Sequence, residues 1–491
     1  MSAPKHPELF PIAVGNEEES MLQIGPDPQN MLDPIGFVSH FGDYLPAGIK
    51  KTEGARKFLQ NGGLIYDGYA CDGDVETLEG GVNLERATPE CSTPLEFATY
   101  IQASEAMYLE MLKNYVVRRS KVGYPEMARV QRRTIDSYGH GRACHDSLEC
   151  RRPEWLAEFE NQDGAKPVLL AYLSTRSLMT GAGYVSHDGM HFAQKVQHLT
   201  ELTEYGFVNS AYRNASEEDT GARLEIRCND INISPWAIQA RIGGSALLFT
   251  LLQTPLAQTL KHLAPTEATS TALIANFQRF NAVSFDGDGQ MQFSRDIARA
   301  LDFQERTVEL MQEGLGEYVE LPEAYQQLIV EMRYYCEDFR KVLHGQEPMS
   351  ILADRSDMAA KFDRIFQLNE KARSYGLVRK IGDVMSMASD LRYDNITVDV
   401  KDDGTPRVTY GYAYKQRQKG KFRMTPKADD VDRAMYYPPQ TTRAKTRGEL
   451  IRRGEVDECE WSWFKHEGLD QKIRIHEVIT GPDDTPVATK H

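Results

Sequence analysis

Two stretches far apart in the chain carry alternating carboxylates. They are Gly15-Asn16-Glu17-Glu18-Glu19-Ser20 and Leu84-Glu85-Arg86-Ala87-Thr88-Pro89-Glu90-Cys91. In an extended strand alternate side chains share a face, so Glu17 and Glu19 project together while Glu18 turns away. Carboxylates gathered on one face repel one another unless a cation sits among them. Hard oxygen donors with no paired His or Cys favour Mg²⁺ or Mn²⁺ over zinc. Either stretch alone also reads as a solvated acidic turn. A third segment adds weight to the first reading: in Ala222-Arg223-Leu224-Glu225-Ile226-Arg227, residues 223, 225 and 227 share one face of a strand. That pattern is a salt-bridge ladder, or a metal-ligating carboxylate between two guanidiniums suited to phosphate oxygens.

Two more segments are rich in groups that bind anions or metals. In Tyr437-Pro438-Pro439-Gln440-Thr441-Thr442-Arg443-Ala444-Lys445-Thr446-Arg447-Gly448-Glu449, either threonine can cap a following helix, with Arg443 and Arg447 on one face of it. Arginines near a helix N-terminus add to its free N–H groups and dipole as an anion site; a basic surface helix has the same sequence. The stretch Asp136 to Ser147 is polar and glycine-bearing, with histidines at His140 and His145.

These segments need elements to hold them. Phe10 to Val14 reads as an apolar strand leading into the acidic motif, and Leu64-Ile65-Tyr66 as a β-prone run that delivers Asp67 after the Asn61-Gly62-Gly63 turn. Thr93 to Val117 and Pro167 to Leu178 have helical spacing. The second runs into Gly181-Ala182-Gly183, where the backbone must pass close to something. Ser234-Pro235 opens a helix, with Ser as N-cap and Pro at the first position. Residues 285–375 read as mainly helical scaffold. Ile396 to Tyr414 reads as a hairpin turning at Asp402-Asp403-Gly404, and Lys415 to Lys427 as a basic, solvated linker. A domain boundary is placed near 400–425.

Bulk properties narrow the class. A chain of 491 residues is long enough for a large core, and 41% hydrophobic with 26% charged residues is ordinary for a soluble globular protein. A net charge of -15 argues against non-specific nucleic-acid binding, which needs a positive field. Apolar runs such as Ser245 to Leu252 are too short to span a bilayer, and Met1 to Pro11 lacks a signal-peptide core. A cytoplasmic location is the expectation. The 7 cysteines form no CxxC pair, which points to reduced, buried thiols rather than a disulfide framework.

Taken in order, the motifs resemble the Pup ligase and depupylase family, a branch of the glutamine synthetase-like carboxylate-amine ligases. The run Pro438 to Glu449 is close to the Pup ligase form of that motif, and Glu85 to Cys91 is similar to the family's Glu-Tyr-Ala-Thr-Ala-Glu-Cys. Gly15 to Glu19 resembles its N-terminal Glu-x-Glu strand, Thr175-Arg176 with Gly181-Ala182-Gly183 its Thr-Arg-Gln…Gly-Ala-Gly segment, and Cys144-His145-Asp146-Ser147 its Cys-His-Glu-Asn. Arg223 to Asn232 looks like the glutamine synthetase Arg-x-Glu-x-Arg strand.

The resemblance implies an α+β fold: a glutamine synthetase-like catalytic domain over residues 1–410, with a curved antiparallel sheet backed by helices, and a small C-terminal domain over 411–491 that completes the nucleotide site. It implies ATP and Mg²⁺ as cofactors, with Mn²⁺ as a substitute. Glu17, Glu19, Glu85, Glu90 and Glu225 would be metal ligands. Arg223, Arg227, Arg443, Arg447, Thr442 and His145 would bind the nucleotide. Asp67 would be the base that takes a proton from an attacking amine, which must be neutral to react. Because Gly68 to Leu84 separates it from the first glutamate of the metal pair, Asp72 and Asp74 are alternatives. The implied reaction moves the γ-phosphoryl group of ATP to a carboxylate and then joins that carboxylate to an amine. The implied acceptor is a carboxylate, such as that of a small Pup-like protein. Two other outcomes keep the same site: phosphoryl transfer to a small molecule, and amide hydrolysis of the depupylase type with nucleotide as cofactor. A non-enzymatic nucleotide-binding module fits less well with so full a carboxylate set.

Overall fold

The computed structural model describes residues 5–24 (except 12), 41–53, 56–66, 82–123, 127–134, 142, 144–150, 152, 165–186, 189–196, 201–203, 210–217, 221–264, 275, 278–285, 291–377, 383–440, 443–459, 461, 463–466, 472–474 and 489–490. Among the described residues its centre is an 11-stranded sheet. Strand β1, Val14–Ile24, is the hub. One of its edges pairs with β4 (Val82–Ala87), which continues to β3 (Leu64–Tyr66) and β2 (Arg56–Phe58). Its other edge is divided between β5 (Ala128–Gln131), on residues 21–24, and β6 (Cys144–Glu149), on residues 14–18. Beyond β6 lie β11 (Gly221–Ile226), β10 (Ser210–Glu217) and β9 (Glu201–Thr203); beyond β5 lie β14 (Asn395–Val400) and β15 (Pro406–Tyr410). Every pairing is antiparallel except that of β9 with β10. A second sheet contains β7 (Tyr184–Ser186), β8 (Gly189–His191), β12 (Ala282–Phe285) and β13 (Met291–Gln292). This α+β architecture is the expected one.

Helices cover one face of the large sheet. Helix α1, Pro94–Ser120, starts where Thr93 accepts the N–H of Glu96 at 3.1 Å while Glu96 accepts that of Ser92 at 2.7 Å, a reciprocal cap with Pro94 at the first position. Helix α2 spans Ala165–Thr175. Helix α3, Pro235–Leu252, is capped by Ser234 as expected and is buried along all its length. A helix buried on every side has no solvent face, and α3 packs among α1, α2, α4 (Arg295–Tyr318) and α5 (Glu323–Leu343). Helix α6, Asp357–Ser374, follows. Among the described residues no helix is long and apolar enough to cross a membrane.

The hairpin reading of 396–414 holds as far as Tyr410 and then overruns. The β14–β15 ladder ends with Ile396 opposite Tyr410. Gly411 then donates to Asn395 O at 2.6 Å, and its backbone is so close to Tyr393 O that a Cβ there would sit 2.6 Å away. The chain turns into a helix, Tyr412–Gln418, which buries Ala413 and Tyr414 in the main core. The basic run keeps Lys415, Lys419, Lys421 and Lys427 exposed, as a solvated segment would, but it is anchored: Arg417 pairs with Glu105 of α1, and Arg423 with Asp354 at 2.6 Å. Further on, helix α7, Arg443–Arg453, contributes Ile451 to a second, smaller core shared by Phe58, Leu64, Ala87, Val456 and Cys459.

Candidate active site

Register decides which carboxylates meet. In β1, Asn16, Glu18 and Ser20 are buried, while Gly15, Glu17 and Glu19 are half-buried. Residues opposite one another in an antiparallel pair share a face. Glu19 stands opposite Glu85, Glu17 opposite His145, Ser147 opposite Glu225, and Glu149 opposite Arg223. Glu85, Glu19, Glu17, His145, Glu149, Glu225 and Arg223 therefore all lie on the face turned away from the helices. The row crosses β4, β1, β6 and β11, three strand spacings or roughly 15 Å.

The opposite face shows why the alternation is fixed. Glu18 accepts from Arg132 Nε at 2.8 Å and Nη2 at 2.6 Å, and from Arg86 at 2.7 Å. Burial pushes its carboxyl up, but Arg132, Arg86 and Arg241 outweigh that and hold it below the usual Glu range. Next to it, Asp146 is bound by Arg241 of α3 at 2.9 Å. A one-residue slip of β1 would put Glu17 and Glu19 into this core and expose Glu18.

Within the row, His145 Nδ1 lies 3.7 Å from Glu17 and 3.8 Å from Glu225. Glu225 is 1% exposed and accepts from Arg223 at 3.1 Å, with Arg227 Nε 3.6 Å away. Arg227 Nε also lies 3.3 Å from His145 Nε2. Burial lowers the Arg227 guanidinium, and Glu17 and Glu19 pull it back up. Arg223, Glu225, Arg227, Glu17, Glu19 and His145 are thus brought together.

The C-terminal helix reaches the same face. Arg443 donates to Glu149 at 2.9 Å and to Glu90 at 3.3 Å. Arg447 is bound to Glu90, to Gly62 O at 2.9 Å and to Trp461 O at 3.0 Å, and its guanidinium lies over the rings of Phe58 and Trp461. In this structure Glu90 and Arg447 are engaged with each other, and Arg443 links Glu90 to Glu149 of the row. The close approach of α7 depends on Gly62: φ is +82°, and a Cβ there would meet the Ala444 side chain at 2.9 Å.

Asp67 and Thr442, with the alternatives Asp72 and Asp74, lie outside the described residues. Two residues of the face were missed in the sequence. Glu149 was legible, since it follows His145 and Ser147 at strand period. Lys195, buried beside the row, carried no pattern. Burial lowers its ammonium, which Glu19 raises and Arg227 lowers again.

The donor set suits a hard divalent cation: carboxylates from β4, β1 and β11, with one imidazole. Among the described residues no three of these side chains already close around one point; they line a floor. Guanidiniums of Arg223, Arg227 and Arg443 beside the β6–β11 part of the row match the oxygens of a polyanion.

The sequence matches the family described as Pup-ligase protein over residues 31–467. It is similar to the Pup–protein ligase of Bifidobacterium dentium, with 24% identity over 446 residues covering 84% of this chain and 80% of that one. It is also similar to that of Acidimicrobium ferrooxidans, with 22% identity over 415 residues covering 80% and 79%. The fold resembles a solved complex of the prokaryotic ubiquitin-like protein Pup with its ligase PafA, at a TM-score of 0.70 and 16% identity over 96% of this chain and 90% of that one. It also resembles PafA in complex with ADP, at a TM-score of 0.64 and 18% identity over 87% of each. The chain belongs to the Pup-ligase family.

Proposed function

We propose that this chain is an ATP- and Mg²⁺-dependent ligase that phosphorylates a carboxylate, that of a small Pup-like protein, and joins it to an amine. The observation that carries the reading is the row Glu85, Glu19, Glu17, His145 and Glu225 on one face of the sheet, with Arg223, Arg227 and Arg443 beside it. The carboxylates Glu17, Glu19, Glu85 and Glu225 would hold the metal ions, which when bound neutralise phosphate charge and polarise the γ-phosphoryl group. Arg223 and Arg227 would orient phosphate oxygens by bidentate contacts. Arg443, tied to Glu149, would close the row from the C-terminal side.

In the first step the acceptor carboxylate attacks the γ-phosphorus, the bond to the β-bridging oxygen breaks, and ADP leaves. In the second the amine attacks the acyl carbon, phosphate departs and a proton is lost, which leaves an isopeptide bond. Asp67 is the proposed base for that proton. Glu90 and Arg447, given as metal ligand and nucleotide contact by the resemblance, would first have to release each other to act on the nucleotide directly. Their mutual bond supports a role in docking α7.

The test is incubation with ATP, Mg²⁺, a peptide ending in Glu and a lysine-bearing protein. The expected result is one ADP per isopeptide product, with a mass equal to both reactants less one water. ADP with a stable phosphorylated small molecule, or amine release without ADP, would overturn the reading in favour of a kinase-like or an amidase-like enzyme.

A further inference from the structure

Lys195 is a buried cation beside the carboxylate row, and the reaction above gives it no task. It is 4% exposed. Its main chain is held firmly: Asp230 accepts the N–H groups of Lys195 at 3.0 Å and of Gln194 and Ala182 at 2.8 Å each. One carboxylate thus ties Lys195 to the Gly181–Gly183 turn. The Gln194 side chain fixes the same corner, accepting from Thr134 N–H at 2.8 Å and donating to Gly183 O at 3.2 Å. The turn itself is locked, since a Cβ on Gly181 would lie 2.1 Å from Phe192 O.

Against this rigid base the ammonium is under-used. It donates to the carbonyl oxygen of Arg142 at 3.1 Å. That acceptor is neutral, and an ammonium has three donors. A buried charge with so little compensation is costly unless an anion comes to it. The charged groups that act on it most are Glu19, which attracts it, and Arg227, which repels it, and both belong to the row. Arg142, whose carbonyl orients the ammonium, also contacts Met21 at 3.3 Å, two residues beyond Glu19 on the same strand.

We propose that Lys195 is a further phosphate-contacting residue, whose ammonium donates to the terminal phosphoryl oxygens of a nucleoside triphosphate. The inference rests on the nucleotide reading above and deepens it. A rigidly held ammonium aimed at oxygens that gain charge during transfer would stabilise the transition state without reorganising. No bond to Lys195 forms or breaks.

The test is equilibrium binding of Mg²⁺-ADP and of the Mg²⁺ complex of a β,γ-imido ATP analogue to wild type, Lys195→Met and Lys195→Arg. For Lys195→Met the analogue should bind about 10-fold more weakly or worse, with ADP within about 2-fold, and Lys195→Arg should recover most of the loss. Equal weakening of both ligands, or of neither, would overturn the proposal and leave Lys195 a structural tie. If Lys195→Met does not fold, Lys195→Gln gives the same comparison. If wild type binds the analogue with this Lys195 dependence but joins no acceptor, the ligase reading falls and the Lys195 inference stands. If wild type ligates and the variant binds both nucleotides as before, the reverse holds.

Discussion

Arg447 donates to Glu90 at 2.5 Å across 357 residues of chain, with the guanidinium fully buried and the carboxylate side chain 12% exposed. Burial pushes the Glu90 carboxyl up, but Arg447 and Arg443 outweigh it and hold it below the usual Glu range. The pair therefore gives stability that is complete above the ordinary Glu range and is lost as pH falls through the lowered folded value.

Removing Arg447 leaves Glu90 with Arg443 as its partner, so the loss should stay below the roughly 3–5 kcal/mol of a fully broken buried pair. Arg447→Met is expected to lower the apparent melting temperature and to make the segment around α7 the first site of limited proteolysis. A variant that melts and resists protease like wild type would show that the pair does not hold this helix.

Neighbouring glutamates of β1 should behave oppositely. Glu17→Gln and Glu19→Gln should reduce nucleotide turnover by at least about 100-fold with a smaller loss of melting temperature than Glu18→Gln, since both side chains are only half-buried. Glu18→Gln should lower the melting temperature markedly, because Arg132 and Arg86 lose their counter-charge. Thermal melts beside ADP-release rates check both halves; a stable Glu18→Gln would contradict the register argument.

Asp394 gives a pH signature. Burial, only partly offset by Lys361 and Arg133, raises its carboxyl to about 6. The unfolded chain then binds fewer protons than the folded one between the ordinary Asp range and about 6, so this group's contribution to stability falls as pH rises through that window. Asp394→Asn is expected to raise the melting temperature by a few degrees near pH 7.5 and to leave it unchanged near pH 4. An equal gain at both values would assign the effect to packing instead.

Asp67→Asn should leave ATP binding intact and slow amine-dependent product formation, measured by single-turnover kinetics. Full activity in Asp67→Asn with loss in Asp72→Asn or Asp74→Asn would move the base into the 68–84 segment.

Local patterns were the legible part of this molecule. Thr93-Pro94 and Ser234-Pro235 announced helix starts because capping is decided within a few residues. The parity of Glu17, Glu18 and Glu19 announced the faces of β1 because strand period is a local property. Partner choice across long separations was not legible. Arg417 lies in a run that reads as solvated linker, yet Glu105 draws it into the core. Arg447 reads as a phosphate contact by its helix position, and it is also held by Glu90, Gly62 and Phe58 from distant segments, with Trp461 nearby in the chain. Lys195 has no motif around it, and its main chain is fixed by Asp230, which lies 35 residues further on.

The central claim is that the glutamates of β1, β4 and β11 share one cation-binding floor under the nucleotide. The most direct measurement is Mn²⁺ binding, followed by electron paramagnetic resonance, to wild type and to the Glu17→Gln/Glu19→Gln double variant with ADP present. Wild type is expected to bind Mn²⁺ tightly in a nucleotide-dependent way, and a double variant that melts normally is expected to lose that binding. Unchanged Mn²⁺ stoichiometry and affinity in that variant would contradict it.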